Sequence, residues 1–388
     1  MLVRHLSLRD FRNYETAELA LGPGANLFVG SNGQGKTNLV EAIGYLSTLG
    51  SHRVSVDHAM IRQGTDSAII RARVENAEQS VLLEVQLNRS SPNRAQANRG
   101  AIKPRELPRY FSSVIFAPED ITLVRGEPSG RRRFLDELLV LRSPRMSGVM
   151  TDYDRVLKQR NSLLKSARAS NVGQLSTLEI WDERLVSFGS EIIEARSALV
   201  ADLTPEVARA YAAVAGADHS ASLSGYLSIH SKATDDDAEF EADAVVADRI
   251  SATAAADAFR VALARLRRAE LARGITLVGP HRDDLVLQLN GLPARGYASH
   301  GESWSFALAL KLASAEVLRR ESQTGDPVLV LDDVFAELDE KRRGRLAAAV
   351  AGFEQVLITA AVFDDVPESL VGQVVRIRAG RILGEGEE

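Results

Sequence analysis

Apolar and polar residues alternate through the first ninety positions, and the period then changes. Ala17 to Leu21, Ala68 to Val74 and Val81 to Leu87 repeat at every second position, and Val3 to Leu8 is a further strand-like stretch. That spacing predicts hairpin strands, with turns at Gly22-Pro23-Gly24 and Asn76-Ala77-Glu78. Asn26 to Val29 reads as a short buried strand, Asn38 to Leu46 carries apolar residues at helical spacing, and Val114-Ile115-Phe116 is a further buried strand. From about Glu119 to Arg273 the period is helical. Phe134, Leu135, Leu138, Leu139 and Leu141 share one face, as do Leu178, Trp181, Leu185, Phe188 and Ile192. The Ala-rich stretch Ala208 to Ala217 and the acidic run Asp235-Asp236-Asp237 predict an elaborated arm rather than a second tight core. Strand signals return at Leu285 to Leu289, Val328 to Leu331 and Gln355 to Thr359, with helices over Ser303 to Arg320 and Lys341 to Val350 between them. A last hairpin, Val374 to Arg378 and Arg381 to Leu383, precedes an acidic tail. Strands alternating with helices predict an α/β fold with a largely parallel sheet. The expected organisation is a head made of residues 1–118 and 274–388, interrupted by a mostly helical arm at 119–273.

Composition adds bounds. At 388 residues the chain exceeds what one hydrophobic core usually supports, so two lobes are expected. No segment approaches the roughly 20 apolar residues that span a bilayer, and the charged start does not read as a secretory signal. With no cysteine, disulfides, thiolate zinc sites and cysteine nucleophiles are excluded, and a cytoplasmic protein is the expectation. A net charge of −5 argues against a generic polyanion binder. Local basic clusters stand out all the same: Arg89, Arg94, Arg99, Lys103, Arg105 and Arg109, then Arg131-Arg132-Arg133, then Arg265 to Arg268. Screening over about 10 Å in 0.1 M salt lets such clusters meet phosphates on an acidic protein. A solvated face is the competing reading for each. His5, His52, His58 and His281 lack metal-ligand spacing and read as structural or surface groups.

The chemistry starts at Gly30-Ser31-Asn32-Gly33-Gln34-Gly35-Lys36-Thr37, which matches the phosphate loop G-x-x-x-x-G-K-[ST] between a strand and a helix. Glycines let backbone N–H groups turn onto the α- and β-phosphates, Lys36 reaches the β- and γ-phosphates, and the Thr37 hydroxyl suits Mg²⁺. Gly30, Ser31, Asn32, Gly33, Gln34, Gly35, Lys36, Thr37 and Asn38 are therefore candidate ATP-binding residues. Val328 to Asp333 is an apolar strand ending in two carboxylates, which places the first at the carboxyl end of the sheet, where nucleotides bind in open α/β folds. Asp332 is expected to hold Mg²⁺ through water and Asp333 to polarise the attacking water, so Lys36, Asp332 and Asp333 are the candidate catalytic residues. Thr37 and Asp332 are the candidate metal ligands. Ser299-His300-Gly301-Glu302 precedes a helix and makes a second anion site. Being remote in sequence from the loop, it makes sense as the completion of another copy's site.

These segments together resemble the RecF family, ABC-class ATPases related to the structural-maintenance-of-chromosomes proteins. The resemblance rests on Phe11-Arg12-Asn13-Tyr14, Gly33 to Leu39, Phe116-Ala117-Pro118-Glu119-Asp120, Arg132 to Asp136, Gly279-Pro280-His281-Arg282-Asp283-Asp284 and the double-Asp strand, in that order. It implies an ABC-type head, a phosphate-loop sheet with an antiparallel β subdomain, and a short helical arm. It also implies ATP-driven homodimers in which Ser299, Gly301 and Glu302 of one copy meet the nucleotide held by the other, with Arg12 at the triphosphate. The implied partners are DNA, as duplex beside single-strand gaps, and the proteins RecO and RecR, with which the family loads RecA. No membrane partner is implied. His300, Glu302, Ser303 and Trp304 replace the glutamine-rich signature usual in the family. Asp333 stands where many transporter ATPases have Glu, and Thr359 and Ala360 stand where those have a switch histidine. The expectation is slow, DNA-stimulated hydrolysis. A non-hydrolysing scaffold and a transporter subunit are the alternatives, separable by Asp333→Asn and by ATP-dependent binding to gapped DNA. A small-molecule kinase is the least favoured alternative, since nothing in the sequence resembles an acceptor-substrate pocket.

Overall fold

The computed structural model describes residues 1–76, 79–170, 177–216, 219–232 and 244–383. The middle of the turn expected at Asn76-Ala77-Glu78, the acidic run at 235–237 and the acidic tail lie outside them. The chain divides into two compact units, one of residues 1–121, 209–218 and 300–388, the other of residues 122–208 and 219–299. The segment 274–299 thus falls in the second unit, and 209–218 in the first.

In the first unit, β1 (Leu2–Phe11) and β2 (Tyr14–Ala20) form the opening hairpin. They join β4 (Ser67–Asn76), β5 (Gln79–Asn88), β6 (Arg94–Ala97) and β7 (Gly100–Ile102) in an antiparallel sheet of order β2-β1-β4-β5-β6-β7. The alternation of β1 slips between Val3 and Leu6, both fully buried, because the register against β4 shifts between Val3 and His5. The second sheet contains β3 (Gly24–Val29), β8 (Ser113–Phe116), β13 (Val328–Asp332), β14 (Gln355–Ala360), β15 (Gln373–Arg378) and β16 (Arg381–Ile382), in the order β16-β15-β3-β14-β13-β8. All its pairings are parallel except β15 with β16. Its central strands are buried on both faces, which is why they read as unbroken apolar runs. Helix α1 (Lys36–Thr48) packs on β8, β13 and β14 on one side and on β4 on the other. Its apolar residues Leu39, Val40, Ile43 and Leu46 share one core with strands of both sheets. Gly44 is required there, since a Cβ would lie 2.1 Å from the Ile115 side chain.

The second unit holds α2 (Ile121–Arg125, from its second residue), α3 (Pro128–Arg142), α4 (Met146–Ser170) and most of α5 (Leu178–Ala215), then β9 (Ala221–Tyr226), β10 (Val245–Val246), α6 (Ala252–Arg273), β11 (Asp284–Leu289), β12 (Leu292–Pro293) and α7 (Ala294–Tyr297). The middle of the chain is mostly helical, as expected, and β9 pairs with β10 and β11 in a four-stranded antiparallel sheet. One expectation needs correction: this part has a tight core of its own, in which Tyr153, Val156, Leu185, Ile193, Phe259 and Leu263 are buried together. Ala208 to Ala217 also differs, since α5 continues to Ala215 and buries Tyr211 and Val214 completely. Tyr211 meets Phe306 edge-on at 5.8 Å, and Arg345 closes the helix by donating to the Ala215 carbonyl at 2.7 Å. Helices α8 (His300–Glu321) and α9 (Glu340–Val350) belong to the first unit.

The segments Arg131 to Asp136 and Gly279 to Asp284 lock together. Arg131 grips Asp284 bidentately at 2.8 and 2.7 Å, Arg132 donates to the Asp283 carbonyl at 2.8 Å, and Arg196 joins Asp136 to the Pro280 carbonyl. Arg131 is 3% exposed, so the expectation that this arginine could grip nucleic-acid phosphates is wrong. A buried guanidinium already satisfied by a carboxylate has no face for a second anion. Burial raises Asp283 to about 6 and lowers His281, which meets the Tyr153 hydroxyl at 2.7 Å, to about 3.

Arg160 is another buried ion, with no exposed side chain, held by Asp182 at 2.7 Å, Glu270 at 2.6 Å and Thr276 at 2.8 Å. Arg160→Ala strands Glu270 as an uncompensated buried charge and should reduce stability by about 3–5 kcal/mol. Urea unfolding checks this, and a midpoint equal to that of the unaltered protein contradicts it.

Candidate functional site

The phosphate loop connects β3 to α1 and is clamped from two sides. The opening hairpin turns at Arg12 and Asn13, and Asn13 Nδ2 donates to the Gln34 carbonyl at 3.1 Å while the Tyr14 hydroxyl donates to the Gly35 carbonyl at 3.1 Å. The β15–β16 turn adds the N–H of Gly380, 2.9 Å from the same Gln34 carbonyl, and that of Ala379, 2.5 Å from Gln34 Oε1. Both turn residues have positive φ, as tight hairpin turns require. Gly30 and Gly35 allow these approaches. A Cβ on Gly30 would lie 2.3 Å from the Ile377 carbonyl oxygen, and Gly35, at φ +118°, would meet the Tyr14 hydroxyl at 2.7 Å. Ser31, Asn32 and Gly33 are exposed at the tip of the loop.

Lys36, 3% exposed, lies over the loop and donates to the Ser31 carbonyl at 3.3 Å. Thr37 Oγ1 donates to Asp332 Oδ1 at 2.9 Å, and Thr359 Oγ1 donates to the same oxygen at 2.7 Å. The structure therefore brings the hydroxyl of one motif onto the carboxylate of the other, 295 residues apart in sequence. Thr359 also accepts the Asp333 N–H at 2.8 Å, holding Asp333 at φ 51°. Asp333 Oδ1 is buried and makes no hydrogen bond among the described residues. Burial raises the Asp333 pKa and Asp332 adds to this, while Lys36 opposes it. A carboxylate shifted upward is a better proton acceptor, as general-base work requires. One hydroxyl and one carboxylate are a donor set that fits Mg²⁺, which keeps several waters and binds with substrate phosphates.

Arg12 forks its guanidinium onto Glu41 at 2.8 and 2.6 Å and donates to the Ala59 carbonyl at 2.9 Å, which leaves two of its five N–H donors for a triphosphate. Asn38 bonds Asn13 and Arg53. Ser299 is exposed and directly precedes α8, Gly301 lies in its first turn with Arg342 close beside it, and Glu302 follows. Asp339 caps α9, accepting the Arg342 N–H at 2.9 Å. Of the basic clusters, Arg94, Arg99, Lys103, Arg105 and Arg109 are exposed around β6 and β7, whereas Arg89 is tied to the Thr65 and Ile61 carbonyls.

The sequence reading passed over Glu41, gave Thr359 only as standing where transporter ATPases have a switch histidine, took His52 as a structural or surface group, and gave the Ala379-Gly380 turn no role beyond closing the last hairpin. Only the turn had a local signal, its glycine. The others reach the site through sheet register and the bend after α1.

Residues 2–377 match the family described as RecF/RecN/SMC N terminal domain. The chain is 67% identical over 387 residues to a DNA replication and repair protein RecF of Clavibacter sepedonicus, covering 99% of this chain and 95% of that one. It is 64% identical to the RecF of Leifsonia xyli subsp. xyli, with 99% of both covered. Among solved structures, the recombination mediator protein RecF with ATP, of the RecFOR pathway, superposes with a TM-score of 0.86 at 28% identity, covering 98% and 96% of the two chains. A Pyrococcus furiosus Smc head at 15% identity and a TM-score of 0.53 shares the fold, covering 98% of this chain and 94% of that one. The chain belongs to the RecF family of DNA replication and repair proteins, within the wider group of RecF, RecN and SMC ATPase heads.

Proposed function

We propose that this protein is an ATP-gated DNA clamp of recombinational repair. Two copies close head to head on ATP, each offering Ser299, Gly301 and Glu302 to the triphosphate in the other's loop. The closed pair holds duplex DNA beside single-strand gaps and works with RecO and RecR to load RecA. The insert between the two halves of the head serves as the arm. Among the described residues no helix is long and apolar enough to cross a membrane, and a DNA substrate places the protein's work in the cytoplasm. The observation that carries the reading is the meeting of Thr37 and Asp332 beside Lys36, with a second helix N-terminus exposed at Ser299.

Within the site, Lys36 neutralises the β- and γ-phosphates and the loop N–H groups of residues 33–37 cradle them. Mg²⁺, held by Thr37 and by Asp332 through water, would supply charge neutralisation at the phosphates. Asp333 orients the attacking water and takes up its proton. Bound DNA stimulates this slow step, and the product state releases the pair. The exposed cations around β6 and β7 are the DNA contacts.

Gel shift on gapped duplex tests this. Retention should require ATP, and log K should fall with log salt by about 0.9 for each phosphate contacted. Arg99→Ala with Arg105→Ala should flatten that slope by about two contacts. Retention indifferent to ATP, or to salt, contradicts the reading.

A further inference from the structure

His52 stands in the turn after α1, and that turn is tied down. Ser51 Oγ accepts the N–H groups of Arg53 at 2.9 Å and Val54 at 3.1 Å and donates to Glu41, while Arg53 donates to Asn38 at 3.0 Å. The imidazole Nε2 then lies 3.5 Å from Asp332 Oδ2, with the two side chains 16% and 4% exposed. Both ring nitrogens are sealed from solvent, and neither makes a hydrogen bond among the described residues. Asp332 Oδ1 is occupied by the Thr37 and Thr359 hydroxyls, so Oδ2 is the oxygen turned toward His52. A buried polar group left without a partner is destabilising. An apolar ring would fill the same space without that penalty. The polar ring therefore answers to Asp332 and to the polar groups that enter with a triphosphate.

We propose that His52 is a further positioning residue of the nucleotide site, steering the Asp332 carboxylate that holds Mg²⁺. This rests on the nucleotide-site reading above. With its proton on Nε2, 3.5 Å from Oδ2, the ring closes that gap as the nucleotide enters, donates to Oδ2 and fixes the carboxylate's rotation, leaving Nδ1 as an acceptor for water. Thr37 and Thr359 set one carboxylate oxygen from the helix and the neighbouring strand, and His52 sets the other from the turn. The site thereby gains an imidazole from a segment far from β14, where Thr359 and Ala360 leave no histidine.

The test uses the full chain with a thiotriphosphate analogue of ATP, titrated calorimetrically in EDTA and in saturating Mg²⁺. His52→Phe should reduce the Mg²⁺-dependent gain in affinity by about tenfold while leaving the affinity in EDTA within about twofold, and His52→Gln should restore most of the gain. Mn²⁺ bound in the ternary complex, followed by electron paramagnetic resonance, should show the same ranking. If His52→Phe retains the whole metal-dependent gain, or loses affinity equally in EDTA, the ring is packing and the proposal is overturned. If the unaltered protein binds no analogue at all, the nucleotide reading falls and takes this one with it.

Discussion

Lys36→Ala should weaken Mg²⁺–ATP binding by about 100- to 1,000-fold, and ATP-dependent retention of DNA should vanish with it. The ammonium is the one cation the phosphate loop itself supplies, and 97% of the residue is out of solvent contact. Hydrogen bonds to charged groups contribute about 1.5–3 kcal/mol each, and losing contacts to two phosphates, each near the lower end of that range, removes about 3–4 kcal/mol. At 1.4 kcal/mol per factor of ten, that is the loss stated. The fold should survive, because the hydrogen bond removed is a single 3.3 Å contact to the Ser31 carbonyl and alanine favours the first turn of α1. Calorimetric titration with ATP, beside a circular-dichroism melt, separates the two effects. Retained micromolar binding in a folded variant contradicts the assignment of the loop.

Asp333→Asn should stop hydrolysis and leave the closed state intact. Removing a general base lowers rates by about 10²–10⁴-fold. The substitution is close to isosteric, and asparagine tolerates the positive φ that residue 333 adopts better than most residues do. The N–H bond to Thr359 is a backbone bond and persists. Stability should not fall, since the side chain is a half-buried carboxylate whose ionisation burial already disfavours. Phosphate release should drop to the uncatalysed level while ATP-bound dimers and their DNA complexes accumulate. Loss of dimers instead would show that Asp333 acts in closure rather than in chemistry. The unaltered protein should turn over well below about 10 s⁻¹, the ordinary enzyme rate, because Asp333 is a short carboxylate and no histidine follows β14.

Much of the head was legible in the sequence because its signals are local. The phosphate loop announces itself through Gly30, Gly33, Gly35, Lys36 and Thr37. Strands β13 and β14 are continuous apolar runs, as strands buried on both faces must be. The arm was less legible. Strand β9, Ala-Ser-Leu-Ser-Gly-Tyr, has small residues that carry little period, and only its partner β11 makes it a strand. The buried end of α5 looked weakly apolar because alanines separate Val207, Tyr211 and Val214, and the edge-on contact of Tyr211 with Phe306 has no trace in local sequence. In the site, Lys36, Thr37 and Asp332 were readable from motif spacing. The Glu41 partner of Arg12, the Thr359 bridge and the His52 approach were not, because each depends on a pairing or bend with no counterpart in local sequence. Arg131 misled for a related reason. A run of arginines looks like a surface, and only the fold shows Asp284 waiting for the first of them.

The central claim is that ATP closes two copies on each other, and light-scattering mass in solution tests it most directly. With saturating ATP and Mg²⁺ the protein should weigh twice 42.1 kDa, and Ser299→Arg should return it to a single copy with hydrolysis lost. An unaltered protein that stays at 42.1 kDa under those conditions, while Ser299→Arg hydrolyses ATP at the same rate, contradicts the account.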